Sequence, residues 1–175
     1  MKNFITLFLT AVFSISLLAN VPNSEKKILE KLFESTNGSQ WKIKWDLKAP
    51  VSTWHGVTIK NDKIIGINLS NNNLIGNLPV EIIGLKNLEV LNLFKNQISG
   101  TIPEKIGDLK NLKELNLSFN KLSGSIPSSI CDIPHLHTIM MFMNRLSGEL
   151  PSQIGNLKEL EMVSLFNNEL SGPLP

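Results

Sequence analysis

The sequence predicts a right-handed α/β solenoid, and three observations carry that expectation. Asn72, Asn96, Asn120, Asn144 and Asn168 stand 24 residues apart without a slip. Around each returns one frame: an apolar-x-apolar strand, two residues, Asn, one residue, Leu or Ile, then x-Gly-x-(Ile/Leu)-Pro. The segments Leu91–Pro103 and Leu115–Pro127 show it twice in succession. A period of this size marks stacked repeats that bury their apolar faces only against one another. Such an architecture offers an elongated binding surface rather than a pocket for chemistry.

The first 19 residues read separately. Met1-Lys2-Asn3 supplies a positive charge, Phe4 to Leu18 is mostly apolar, and Ala19-Asn20 is a plausible exit, the layout of a secretory signal peptide. The run is too short and too interrupted by Thr6, Thr10, Ser14 and Ser16 for a membrane span of about 20 apolar residues. Residues 20–63 form an N-terminal cap. Ser24 can cap a helix running to about Ser35, with Ile28, Leu29, Leu32 and Phe33 on one face and Asn37-Gly38 ending it. Trp41, Trp45 and Trp54 follow; large amphipathic rings beside the first strand most simply seal the end of the core, with a sugar-stacking platform as the second reading.

Residues 64–175 are five repeats. The inward pairs are Ile67/Leu69, Leu91/Leu93, Leu115/Leu117, Ile139/Met141 and Val163/Leu165, on strands expected to stack about 4.8 Å apart as a parallel concave sheet. Each ladder Asn turns inward, where its amide can bond the backbone of its own and the next turn, because a buried amide persists only if satisfied. Gly permits the following turn and Pro ends the extended step. Residues such as Glu104 to Asp108 make a short helical return on the convex side. Ile75 and Ile83 replace the usual Ser and Gly in the first repeat. The chain stops at Gly172-Pro173-Leu174-Pro175, inside the fifth repeat and without a polar C-terminal cap, so a fragment or a partner is expected.

Residues 64–175 resemble plant-type leucine-rich repeats, with the frame LxxLxLxxNxLSGxIPxxIGx read five times. The resemblance implies a second, short β-element beside the main sheet, carried by Ser-Gly-x-Ile-Pro. The stretch Ser52-Thr53-Trp54-His55-Gly56-Val57-Thr58-Ile59 is similar to the family's cap motif Cys-x-Trp-x-Gly-Val-x-Cys, with Ser52 and Ile59 where the two cysteines would stand. Together with Ser35 to Trp41 it looks like the disulfide-free cap of secreted bacterial and protist relatives. What the resemblance implies is a fold and a binding role, not a ligand.

Composition removes several classes of function. The formal charge is +2, and +1 once Lys2 is lost with the signal, and there are no basic blocks. Nucleic acid and anionic membrane surfaces are therefore not expected partners, and a membrane connection would need segments outside this chain. Arg145 is the single arginine among 17 basic residues, which leaves little bidentate anion recognition. Cys131 is the only cysteine, so no internal disulfide forms; it occupies the slot of Gly107 and Gly155 and reads as a half-buried filler, with an intermolecular disulfide as the lesser reading. His135 and His137 flank inward Leu136, but two ligands without a neighbouring carboxylate cluster do not make a metal site. No serine elbow, His-Glu zinc helix or phosphate loop occurs, so neither catalysis nor a cofactor is expected. Asn37-Gly-Ser39, Asn68-Leu-Ser70 and Asn116-Leu-Ser118 match the glycosylation pattern, the last two as accidents of the repeat frame.

Alternation of strand side chains assigns the outward lanes of the concave sheet. One reads Asn68, Asn92, Asn116, Met140, Ser164, and the next Ser70, Phe94, Ser118, Phe142, Phe166. A flanking lane reads Asn71, Lys95, Phe119, Met143, Asn167, and a preceding one Gly66, Val90, Glu114, Thr138, Met162. Phe119, Met140, Phe142, Met143, Met162 and Phe166, with Phe94 at their margin, predict an exposed apolar patch toward the C-terminal repeats, the kind of surface that marks a partner. Phe142 and Phe166 are the expected anchors. The sequence thus predicts a secreted, non-enzymatic module that binds a protein or peptide on its concave face, with carbohydrate as a lesser ligand class. Its rivals are the ectodomain of a surface receptor or adhesin that continues beyond Pro175, and an inhibitor of a secreted carbohydrate-cleaving enzyme. The second rival calls for a charged concave surface, and Glu114, Lys95, Lys113 and Glu161 supply little.

Overall fold

The computed structural model describes residues 20–173. The expected signal peptide lies outside those residues. Helix α1 spans Asn23–Ser35 and buries Leu29 and Leu32 completely. It starts one residue before the expected cap: Pro22 occupies the N-cap position, its carbonyl accepts the amides of Glu25 and Lys26, and Ser24 sits inside the first turn with no capping bond. Pro22 is extended there, with φ −53° and ψ 138°, a conformation that proline's fixed φ allows and that an N-cap requires. At the other end Asn37 turns left-handed with φ 54°, which lets the chain leave the helix axis.

The strands follow in chain order: β1 (Val57–Lys60), β2 (Lys63–Asn68), β3 (Ile75–Asn77), β4 (Val90–Asn92), β5 (Gln97–Gly100), β6 (Glu114–Asn116), β7 (Lys121–Gly124), β8 (Thr138–Met140), β9 (Arg145–Glu149), β10 (Met162–Ser164) and β11 (Glu169–Ser171). They build two sheets. The concave one has the order β1-β2-β4-β6-β8-β10, parallel except for β1, which pairs antiparallel with β2. The second, ordered β11-β9-β7-β5-β3, is the short β-element that the repeat frame implied. Between them, 3-10 turns at Val80–Gly84, Ile106–Asp108, Ser128–Asp132 and Ser152–Asn156 carry the chain back along the convex side.

The β1–β2 hairpin was not anticipated. Asn61 and Asp62 both have positive φ, 50° and 60°, which is the two-residue turn that twists correctly between antiparallel strands. Gly56 explains the close start of that hairpin: a Cβ there would lie 2.0 Å from the Asn68 carbonyl oxygen, and Gly56 instead accepts the Asn68 amide at 2.7 Å.

One continuous apolar core runs the length of the solenoid. Ile67, Leu69, Leu91, Leu93, Leu115, Leu117 and Met141 are fully buried. The pattern relaxes in the fifth repeat, where Val163 is 42% exposed. At the opposite end the tryptophans close the core. Trp41, Trp45 and Trp54 retain 2%, 5% and 3% of their surface, so none offers a face to a sugar and the stacking-platform reading falls. Trp45 stacks on Trp54 at 4.8 Å and meets Trp41 edge-on at 4.9 Å. Each indole N–H is satisfied: Trp41 donates to the Thr36 carbonyl at 3.0 Å, Trp45 to His55 at 2.8 Å, and Trp54 to Asp46 at 2.9 Å. Glu25 joins cap to repeats, its buried carboxylate accepting the Ile64 amide at 2.9 Å while Lys63 lies 3.5 Å away.

Candidate functional site

Two side-chain arrays dominate the repeats, one inside the turn and one on the open sheet. Inside, Asn96 donates from Nδ2 to the carbonyls of Leu69 and Leu93, both at 2.9 Å, while its Oδ1 accepts the amides of Asn72 and Leu74 at 3.0 Å. Asn120 repeats this with the Leu93 and Leu117 carbonyls and the Ile98 amide, all at 3.0 Å. Asn144 reaches the Leu117 and Met141 carbonyls and the Leu122 amide, and Asn168 the Met141 and Leu165 carbonyls and the Leu146 amide. Each amide therefore ties its own turn to the preceding one, not to the next as its position suggested. Asn72 has no preceding repeat and bonds the cap instead, exchanging both amide groups with the Ile43 backbone. The direction follows from the Asn sitting at the end of its strand, where the previous repeat's turn still carries unpaired amides.

On the open sheet, the four phenylalanines of repeats two to five meet one another. Phe94 and Phe142 each approach Phe119 edge-on at 5.4 Å, and Phe142 stacks on Phe166 at 4.6 Å with 13° between ring planes. Phe166 is 58% exposed, Met162 53%, Phe119 39% and Met143 37%; Phe94, Met140 and Phe142 are half-buried. The strip is not a flat lane. Phe94 and Phe142 belong to repeats two steps apart, yet their ring centroids close to 6.4 Å because Phe119 bridges them over Ser118. Ser118 is left fully buried with an unpartnered hydroxyl.

The flanking lane carries a backbone feature that the residue types hid. Asn71, Lys95, Phe119, Met143 and Asn167 all have φ between 53° and 57°, the left-handed region. Asn adopts it readily, whereas Phe and Met do so at a cost of roughly 1–3 kcal/mol. Phe119 and Met143 are thus held at a conformation their side chains disfavour; the Phe119 ring joins the strip, and the Met143 sulfur accepts the Asn167 side-chain amide at 2.9 Å.

Charges border this strip unevenly. Along the edge where the chain enters the concave strands lie Glu89, Lys113, Glu114, Glu159 and Glu161. Lys113 is engaged with Glu89 at 2.6 Å, and its hydrogen bond holds the Glu89 carboxyl below its ordinary value against the opposing effect of burial. Where the chain leaves stand Lys95, Lys121 and Arg145. Lys121 meets only the Gln97 amide oxygen at 3.0 Å, and none of the three has an ion-pair partner among the described residues. Nor do Glu114 and Glu161.

The sequence reading placed no carboxylate near His135 and His137, yet Glu159 lies one period after His135 and accepts from its Nδ1 at 3.1 Å, with His137 Nε2 3.8 Å away. Cys131 is free and half-buried; burial pushes its thiol up, and the Asp132 carboxylate adds to the shift, as suits an inert filler. Among the described residues no helix is long and apolar enough to cross a membrane.

Comparison with known proteins agrees with this geometry. Residues 63–85 match the family described as Leucine Rich Repeat, and residues 86–130 that described as Leucine Rich repeats (2 copies). No curated protein sequence matches significantly. Among solved structures, the BIR3–SERK2 complex from Arabidopsis thaliana contains a chain 34% identical, with TM-score 0.72 over 83% of this chain and 82% of that one. The Arabidopsis BIR2 ectodomain is 29% identical, with TM-score 0.77 over 85% of this chain and 82% of its own. The Arabidopsis receptor kinase HAESA, solved with the peptide hormone IDA and the co-receptor SERK1, is 40% identical over 62% of this chain at TM-score 0.61, and the match spans 18% of that longer chain. With its five-turn Asn ladder, paired sheets and these matches, the chain belongs to the leucine-rich-repeat family.

Proposed function

We propose that the protein is a secreted, non-catalytic module that binds a protein or peptide on the concave face of its solenoid. In this reading residues 1–19 are a cleaved signal, 20–63 a disulfide-free N-terminal cap and 64–175 five plant-type repeats. The observation that supports it best is the phenylalanine strip. Four aromatic rings in mutual contact lie on an open sheet face with no element of the described chain covering them. Aromatic clusters of this kind concentrate binding energy because they remove much area from water while ordering few torsions. Complexes among the similar structures, BIR3 with SERK2 and HAESA with its peptide hormone, favour the same class of ligand. The residues we assign to contact are Phe94, Phe119, Met140, Phe142, Met143, Met162 and Phe166.

The test is selection of a random linear peptide library on the purified protein, followed by titration of the enriched sequences. Phe142→Asp and Phe166→Asp should each weaken those peptides at least about tenfold, a loss of some 1.4 kcal/mol, while the circular-dichroism melt stays cooperative. Peptides that bind both variants as well as the parent would place recognition elsewhere and sink the assignment.

A further inference from the structure

The occupant of the strip can be specified further, on the premise that the strip is a binding surface. We propose that it is a second copy of this chain, docked concave face to concave face about a two-fold axis parallel to the solenoid axis. Two independent gradients select that arrangement. Along the solenoid the surface changes from polar to apolar: Asn68, Ser70 and Asn71 in the first repeat give way to Phe142, Met143, Met162 and Phe166 in the last two. Across the solenoid the unpaired charges change sign: Glu114 and Glu161 stand on the entering edge, Lys95, Lys121 and Arg145 on the leaving edge.

A two-fold interface must match itself under one rotation. Rotation about an axis along the strands, through the third repeat, would lay the polar first repeat of one copy on the fifth-repeat phenylalanine of the other. It would also oppose Glu114 to Glu114 and Lys121 to Lys121. Rotation about an axis along the solenoid does neither. It places apolar strip on apolar strip, and it exchanges the two edges, so that Glu114 faces Lys121 of the second copy at the same repeat. Glu161 then lies one repeat step from Arg145 of the second copy. In the fifth repeat Glu161 faces Glu169 of the second copy, a like-charge pair, and in the fourth Arg145 faces neutral Thr138. The charge match is therefore carried by the third repeat alone. Paired charges of this kind set orientation more than raw affinity, and the buried phenylalanines supply the attraction.

Sedimentation equilibrium on the purified protein provides the test. A reversible dimer is expected at about 100 μM, a concentration at which micromolar interfaces are filled. Phe142→Asp should abolish it. Glu114→Lys and Lys121→Glu each place two like-charge contacts in the symmetric dimer, and each should raise its dissociation constant about tenfold. The double variant E114K/K121E restores opposite charges across the axis and should return the constant to within about threefold of the parent. Both side chains are solvent-exposed, so an unchanged melting curve should accompany every variant. A monomer at all concentrations, a dimer indifferent to the single changes, or a double variant no tighter than the singles would overturn the proposal. If the protein is monomeric while Phe142-dependent peptide capture persists, the strip binds another partner. If both fail, the strip is not a binding surface.

Discussion

The molecule contains two aromatic clusters of similar size, and they are built on opposite principles. In the cap, Phe33, Trp41, Trp45 and Trp54 pack with centroids 4.8–6.3 Å apart, and every indole N–H donates to a backbone carbonyl. On the sheet, four phenylalanines pack at 4.6–6.4 Å with no polar atom to satisfy and much of their surface in water. Contact between rings does not distinguish a seal from a binding face. What does is the company of the rings: a sealing cluster uses side chains whose polar tips are consumed by the backbone around them, so their burial is complete and specific. Rings without polar tips can lie on a surface, exposed, and remain free to accept any apolar partner.

The largest effects should separate the two clusters. Trp41→Ala should cost about 3–5 kcal/mol in urea unfolding, from the cavity and the lost packing of a fully buried ring. Phe166→Ala should cost less than about 1 kcal/mol, because its ring is already mostly solvated. Similar losses for both would show that the strip is core and would break the distinction. Next in size is the ladder. Asn120→Leu removes the donor shared by the Leu93, Leu117 and Ser118 carbonyls and the acceptor of the Ile98 amide. A loss of about 1–3 kcal/mol is expected, since those backbone groups stay buried without partners. An unchanged midpoint would mean water replaces the amide at no cost.

A smaller effect of opposite sign belongs to the left-handed lane. Met143→Asn puts at φ 57° the residue type that already serves at Asn71 and Asn167. Stability should rise by about 0.5–1 kcal/mol as the backbone penalty is relieved, while strip-dependent binding weakens. A destabilised variant would mean that Met143 packing outweighs its strain.

Much of the architecture was legible because a repeat writes the same physical constraint five times. The Asn ladder and, through the fourth repeat, the inward pairs followed from position modulo 24. What escaped was whatever the period does not repeat. The Asn61-Asp62 turn occurs once, as does the bond from Glu25 to the first repeat strand. The pairing of His135 with Glu159 was written in the period, but only by asking which residue lies one full repeat onward. The left-handed lane escaped for another reason: Lys95, Phe119 and Met143 do not advertise a positive φ, and only Asn71 and Asn167 hinted that the slot demands one. Alternation along a strand assigns each side chain a face but treats the lanes as parallel rows. It could not foresee that two rings would lean together over a serine.

That serine supports the smallest prediction and the sharpest test of how the strip is made. Ser118, like Ser70, interrupts the lane that Phe94, Phe142 and Phe166 fill, and its hydroxyl is buried without a partner. A buried unpaired hydroxyl is unfavourable by about 1–3 kcal/mol relative to a satisfied one, so polarity cannot be the reason for it. Size can. In the third repeat the aromatic ring is supplied by the neighbouring left-handed position, Phe119, and it fills the space above residue 118 from the side. A phenylalanine at 118 would collide with rings already 5.4 Å apart, whereas serine leaves room for the closure. Ser118→Ala keeps the small size and removes the orphan oxygen, and should raise stability by up to about 1 kcal/mol with strip binding unchanged. Ser118→Leu should instead push Phe119 outward and lower stability by overpacking, by about 1–3 kcal/mol. If alanine is worse than serine, the hydroxyl has a partner and the strip is held together partly by polar bonding. If alanine is better and leucine worse, the strip is a steric construction. Its aromatic surface then exists because one repeat moved its ring by a single residue into a backbone conformation that phenylalanine resists.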